Sequence, residues 1–246
     1  MRISINFFLG LLLCLVACSK ESDNTTQPEG EEIKLLEGLT SVPGIGPTFS
    51  YDFRFLENRD NMQYFSPQSI EESYLHIPPQ MNNNIGKILA SELPFEAKTQ
   101  KANIVTFSNK EHPLQFQIQV CYFENANSYG INTGDYLIIS VAQYPQDPFE
   151  NKEYLNIILE SVKDNFSMSM LEGEHPLFWK QNSGRNYELV YEFYNYQQKE
   201  NRINITVTAS NQFYAWYNGL IFHIGYSMDT QKVDIEKLVK KIIIPE

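Results

Sequence analysis

The side chains that could do covalent or acid–base chemistry in this sequence are three cysteines, four histidines and two stretches sharing a Glu-His-Pro-Leu core. The stretches are Glu111-His112-Pro113-Leu114-Gln115-Phe116 and Glu174-His175-Pro176-Leu177-Phe178-Trp179. Brought to one edge of a sheet, two Glu-His pairs would suit metal binding or proton transfer. A proline opening a strand after a polar turn gives the same pattern for structural reasons. That reading is preferred, because the flanking residues do not continue the match. His76, His112, His175 and His223 show no His-x-x-x-His or His-Glu-x-x-His spacing, so no zinc site is assigned. Gly-x-Ser-x-Gly and Asp-x-Asp-x-Asp-Gly are also missing, and with them the local signs of a serine nucleophile or a calcium loop. No catalytic, metal or cofactor-binding residue is therefore assigned. Carboxylates that assemble only in space are invisible at this level.

Cys18 is a different case. It closes Leu15-Val16-Ala17-Cys18, at the end of an apolar run from Ile5 that follows one positive side chain, Arg2. The run is too short to cross a bilayer, which takes about 20 apolar residues, and has the layout of a secretory signal. These four residues resemble the lipobox of bacterial lipoproteins. The resemblance implies removal of residues 1–17 as a signal peptide and acylation of the Cys18 thiol as the lipid attachment site; Cys14 lacks the matching approach. Each buried acyl methylene contributes about 0.8 kcal/mol, so several chains on one cysteine hold a folded domain at a membrane without further apolar surface. Residues 18–33 contain no large apolar side chain before Ile33 and are predicted to form a flexible acidic tether, unable to offset the entropy of ordering. The Ser19-Lys20-Glu21-Ser22-Asp23 start is similar to the acidic export signals of Bacteroidetes lipoproteins, which implies the outer membrane and its surface.

Of 19 basic and 30 acidic side chains only Arg2 precedes Cys18, leaving 18 basic against 30 acidic and a net charge of −12 beyond the signal. Nucleic acid and anionic lipid headgroups need a basic face and are disfavoured as partners. With Cys18 acylated, Cys121 is the one thiol left, so no intramolecular disulfide forms. Cys121 lies in an apolar strand pattern and is read as buried rather than reactive.

The elements that must position any site follow from hydrophobic periodicity. Thr48–Leu56 alternates as a strand and returns through Met62–Phe65; a short helix runs from Ser66-Pro67 to Leu75, and another is placed over 85–93. Pro78–Asn84 is turn-rich and marks the candidate boundary between a small strand/helix segment, 34–80, and a main domain, 81–246. Asn103–Phe107 and Leu114–Phe123 pair as strands. In the second of these Gln115, Gln117, Gln119 and Cys121 alternate with apolar residues and face water or another layer. Tyr136–Val141 is apolar on both faces and central. Asp147-Pro148-Phe149-Glu150 caps a helix whose stripe runs from Tyr154 and Leu155 to Val162 and Phe166. Four or five antiparallel strands follow, the last two flanking Asn218-Gly219, a strong hairpin signal. A terminal helix capped by Asp229 carries Ile235, Leu238, Val239 and Ile242 across the sheet. This order predicts an α+β fold, an antiparallel β-sheet with helices packed on one face. It is similar to the sandwich of the photosystem-II extrinsic protein family, and Asn204–Ile244 resembles the extracytoplasmic domain attached to some anti-sigma factors. Neither likeness implies an activity.

Sixteen phenylalanines, fifteen tyrosines and two tryptophans are more than a core of this size needs. Trp179, Tyr194, Tyr196, Tyr214 and Trp216 are the candidate ligand-contacting aromatics, an exposed platform near the hairpin end. The reading that follows is a lipid-anchored envelope protein, non-enzymatic, that binds a protein, a peptide or a small ligand. Surface carbohydrate binding and a hydrolase with spatially assembled carboxylates are the alternatives. Labelled palmitate is expected to enter the wild-type chain and not a Cys18→Ser variant, and protease added to intact cells should release the domain. Equal labelling of the two chains would remove the anchor.

Overall fold

The computed structural model describes residues 34–46, 48, 59–108, 114–125, 134–152, 155–156, 166–173, 175–181, 190–229 and 234–244. In chain order the strands are β1 (Ser41–Val42), β2 (Asp60–Phe65), β3 (Thr99–Ser108), β4 (Gln115–Phe123), β5 (Tyr136–Gln143), β6 (Phe166–Met170), β7 (Pro176–Lys180), β8 (Val190–Gln197), β9 (Arg202–Ala209), β10 (Asn211–Tyr217) and β11 (Leu220–Ser227). The helices are α1 (Ile70–Ser73), α2 (Pro79–Asn83) and α3 (Ile235–Ile243). Nine strands make one sheet in the order β1-β2-β3-β4-β5-β11-β10-β7-β6, and β8 and β9 form a separate two-stranded sheet. Every strand pair is antiparallel.

Alternation sends the two faces of the large sheet to different environments. Ile104, Ile118, Ile139, Phe222, Ile224 and Phe213 enter one apolar core with Ile235, Leu238, Val239, Ile242 and Ile243 of α3. On the opposite face Cys121, Phe123, Tyr136 and Ile138 pack against Tyr191 and Phe193 of β8. The fold is thus mostly antiparallel β and sandwich-like, which corrects the expected α+β arrangement. The reason lies in the second layer. β8 and β9 alternate like the strands of the large sheet, and so read as part of one meander; instead they fold as a hairpin over the face that the glutamines line.

Locally coded features hold. β5 is the fifth of the nine strands, and Asn218 and Gly219 both take positive φ, 49° and 76°, as the tight turn between β10 and β11 requires. α3 begins at Asp234, whose carboxylate accepts from the Lys237 N–H, five residues beyond the expected cap. Asp147 does cap, accepting from the Phe149 N–H, but onto a 3₁₀ turn over Pro148–Glu150. Lys152, Leu155 and Asn156 are helical, Phe166 opens a strand, and Tyr154 and Val162 lie outside the described residues. So do the signal, the tether and, apart from Thr48, the Thr48–Leu56 strand. Of the helix placed at 85–93 only a 3₁₀ turn, Ala90–Glu92, is present.

Two strands from residues 34–80, β1 and β2, belong to the large sheet. β2 pairs with β3, and Phe65, Ile70, Ile77 and Met81 belong to the same core as α3. The Gly86 N–H donates to the Ile242 carbonyl at 2.7 Å, tying the stretch after α2 to the terminal helix. No break in packing falls at 78–84.

The sandwich closes because Gly225 leaves room on β11. A Cβ there would lie 2.4 Å from the ring of Tyr191, which is fully buried and cannot move aside. Gly225→Ala is expected to lower stability by about 1–3 kcal/mol, the usual magnitude for overpacking, measured as a shift in urea midpoint. An unchanged midpoint would show that β8 does not press on β11.

Candidate functional site

Directly opposed residues on five neighbouring strands build a polar row across the face under β8. Asn103 lies beside Gln119, Gln119 beside Ser140, Ser140 beside His223, and His223 beside Tyr214. All five are buried. Gln119 joins the row to the second layer: its Nε2–H donates to Ser140 Oγ at 2.6 Å, while its carbonyl accepts the backbone N–H of Tyr194 at 2.6 Å. The Asn103 amide donates to the Tyr194 carbonyl at 3.4 Å. The Tyr191 hydroxyl is placed against Ser140 Oγ at 3.2 Å and the His223 carbonyl at 2.9 Å. Next to this row, Gln117 receives Arg59 Nη1–H at 2.6 Å and meets the Tyr194 hydroxyl at 3.4 Å.

His223 is the titratable centre of the row. Its ring stacks on Tyr214 with centroids 4.5 Å apart, meets Tyr191 at 4.2 Å, and its Nε2 lies 2.9 Å from Gln212 Oε1. Tyr214 donates its hydroxyl to the same Gln212 oxygen. Burial, reinforced by the Lys180 ammonium, lowers the His223 pKa well below the usual imidazole range. Burial likewise pushes the Cys121 thiol up to about 12 and the Tyr191 hydroxyl above its ordinary value. At neutral pH the imidazole, the thiol and the phenol are all uncharged. The row is chemically quiet, and its hydrogen bonds join two layers.

A second cluster is open to solvent at the hairpin end. His175, just before β7, has its ring 5.5 Å from Trp216 and 5.6 Å, edge-on, from Tyr217. Its Nδ1 is 3.9 Å from Asp147 Oδ2, with the His175 side chain 35% and that of Asp147 14% exposed. The Trp216 Nε1–H donates to the Tyr144 carbonyl at 2.7 Å, and the Tyr144 N–H donates to the Gly219 carbonyl at 2.7 Å. The loop that carries Asp147 is therefore fastened to the hairpin tip. Partial burial raises the Asp147 pKa; the Phe149 N–H and His175 act against that shift. An imidazole, a carboxylate and two half-buried aromatic rings converge here.

The platform expected from the sequence is not assembled. Trp179 lies on the α3 side of the sheet, stacked on Phe213 at 5.3 Å, with its Nε1–H donated to the Tyr226 hydroxyl. Tyr214 and Trp216 are on the other side, Tyr194 is fully buried, and Tyr196 donates to Asn201. Strand alternation separates the two tryptophans: register sets Trp179 opposite Phe213, whereas Trp216 has the parity of Tyr214. The strands that follow the two Glu-His repeats, β4 and β7, have three strands between them, about 19 Å at the usual spacing. Glu111, His112 and Glu174 lie outside the described residues, as does Cys18. His76 meets the Leu35 carbonyl at 2.6 Å.

Sequence reasoning missed Asp147 and Tyr217 as partners of His175, and the buried row itself. The glutamine alternation in β4 was the signal for that row, since a second layer was one of its two readings. Among the described residues no group of three or more His, Cys, Asp or Glu side chains is placed to hold a metal ion, and no helix is long and apolar enough to cross a membrane. Comparison with protein-family models, with curated proteins and with solved structures finds no match for the chain.

The quiet state of His223 sets a pH dependence. An unfolded histidine titrates near 6.5, whereas the folded imidazole takes its proton only at lower pH. Above pH 6.5 both states are neutral and the group is silent. As pH falls through 6.5 the unfolded chain binds the proton first, and stability drops by up to about 1.4 kcal/mol per pH unit. Between pH 7.5 and 5.5, wild-type protein should lose about 1 kcal/mol more in urea unfolding than His223→Gln. Equal losses would mean that the folded and the unfolded imidazole take up their protons alike.

Proposed function

We propose that the protein is a lipid-anchored protein of the cell envelope whose β domain is a binding module, with the rim formed by His175, Asp147, Trp216 and Tyr217 as its contact surface for a protein partner. The observation that carries this reading is the contrast between rim and interior. At the rim an imidazole 35% exposed, a carboxylate 14% exposed and two half-buried aromatic rings reach the surface, whereas Cys121, His223 and Tyr191 are fully buried and uncharged. Half-buried tryptophan and tyrosine beside a hydrogen-bonding polar group are the residues that anchor protein interfaces. Anchoring through Cys18 would keep such a rim in reach of other envelope proteins.

Carbohydrate capture is the second reading, because Trp216 and Asp147 supply a stacking ring and an acceptor within one cluster. A hydrolase has less support. It calls for two carboxylates with distinct environments, and among the described residues burial raises only Asp147, while Glu92 and Glu236 are lowered by their lysine partners.

A photo-crosslinking residue placed at Tyr217 in intact cells is expected to give a discrete protein adduct. Adding Trp216→Ala, a loss of about 2 kcal/mol for an interface anchor, should cut the yield by at least tenfold. An adduct indifferent to Trp216→Ala and His175→Ala would take the rim out of the reading. Binding on a glycan array that these two variants abolish would select the carbohydrate alternative.

A further inference from the structure

A groove of about 650 Å³ lies between α3 and the end of β6, a volume in the range of small-ligand sites. Its apolar wall is Leu171 and Leu238, both largely buried, with Met170 and Ile244 beside them; Met170 is 42% exposed. Its charged groups nearly cancel one another. Lys241 pairs with Glu92 at 2.5 Å and Lys240 with Glu236 at 2.8 Å. The Asp234 carboxylate is engaged by the Lys237 backbone N–H as the helix cap. Among the described residues three lining groups have no ion-pair partner, Lys237, Glu172 and Asp234, and of the two carboxylates Asp234 is engaged by its cap hydrogen bond, so the groove offers one unpaired ammonium and the Glu172 carboxylate over an apolar surface.

The neighbouring strand adds a backbone feature. β6 ends at Met170 in the groove and is the last strand of the large sheet, paired with β7 alone among the described strands. Its sequence, Phe166-Ser167-Met168-Ser169-Met170, contains no charge and no proline, the usual devices that stop an edge from pairing with another chain. A strand edge with these features accepts an extended peptide as an additional strand.

We propose that this groove binds a short apolar peptide with free termini. The peptide carboxylate pairs with Lys237, its ammonium with Glu172, and its apolar side chains lie on Leu171 and Leu238 while its backbone extends β6. The groove meets the rim at the turn between β6 and β7, where the Leu171 N–H donates to the His175 carbonyl at 2.9 Å. Trp216→Ala, which tests the rim, changes no residue that lines the groove, so loss of the rim contact and loss of peptide binding are read separately.

Titration of the detergent-solubilised full-length protein with the tripeptide Leu-Ala-Leu, followed by calorimetry, tests the assignment. The free tripeptide should bind, and acetylating its amine or amidating its carboxylate should each weaken binding about tenfold, the scale of one lost charge-assisted hydrogen bond. Lys237→Ala should erase the difference between acid and amide, and Glu172→Gln the difference between amine and acetamide. Both positions are on the surface, so folding is retained. Equal binding of the free and the doubly capped peptide would overturn the proposal. So would free leucine binding as tightly as the tripeptide, because the strand edge would then contribute nothing, and so would no heat with the free tripeptide up to millimolar concentration.

Discussion

The sandwich depends on how the backbone of Tyr194 is satisfied. A two-stranded sheet standing alone is marginal in water, and β8–β9 has no third strand beside β8 among the described residues. Gln119 takes the Tyr194 N–H and Asn103 donates to the Tyr194 carbonyl, so two side chains of the large sheet do what a neighbouring strand would do. On the far side, the Ile203 N–H of β9 donates to the Pro43 carbonyl at 2.8 Å, beside an isolated parallel bridge between Gly44 and Ile203. The hairpin is thereby held at both of its edges, and buried backbone groups that would otherwise cost about 1–3 kcal/mol each find partners.

That arrangement explains why a chain with His, Cys, Tyr and Ser in contact inside it offers so little chemistry there. Gln117, Gln119 and Ser140 are taken up by contacts with Tyr194 and Tyr191 of the second layer, His223 lies between Tyr191 above it and Gln212 beside it in the same sheet, and the low polarisability of their surroundings keeps the titratable members neutral. The groups still open to a ligand sit at margins. At one margin the loop of Asp147 closes on the hairpin tip; at another α3 passes the end of β6. Both lie where the layers stop covering the sheet, which is where a β-sandwich ordinarily places its variable contacts.

Features fixed by neighbours in the chain were legible in the sequence. The stripe Ile235, Leu238, Val239, Ile242 gives α3, the Asn218-Gly219 pair gives the hairpin, and the double-sided apolar run of Tyr136–Val141 gives the central strand. Features fixed by layers were not. Gln115, Gln117 and Gln119 alternate with apolar residues in the same way whether they meet water or the backbone of a second sheet, because both satisfy an amide. Phe166 matched a helical stripe by spacing, yet it pairs opposite Lys180. The rim was half visible: Trp216 and His175 stood in separate motifs that attracted notice, while Asp147 was recognisable only as a helix cap, a role it also performs.

The buried row also settles which way β8 lies. Backbone groups are the same at every residue, so Gln119 and Asn103 would hold the hairpin equally well after a slip of two positions, which preserves the inward face. The choice rests on Tyr191. Its ring fills the space left by Gly225, and its hydroxyl reaches Ser140 and the His223 carbonyl. A slip of two would bring Phe193 to that place, with no hydroxyl to offer, and would leave the polar groups below it unsatisfied. An apolar interface could match the same area of contact but would accept either register, so the polar row earns its place by making one register the better one.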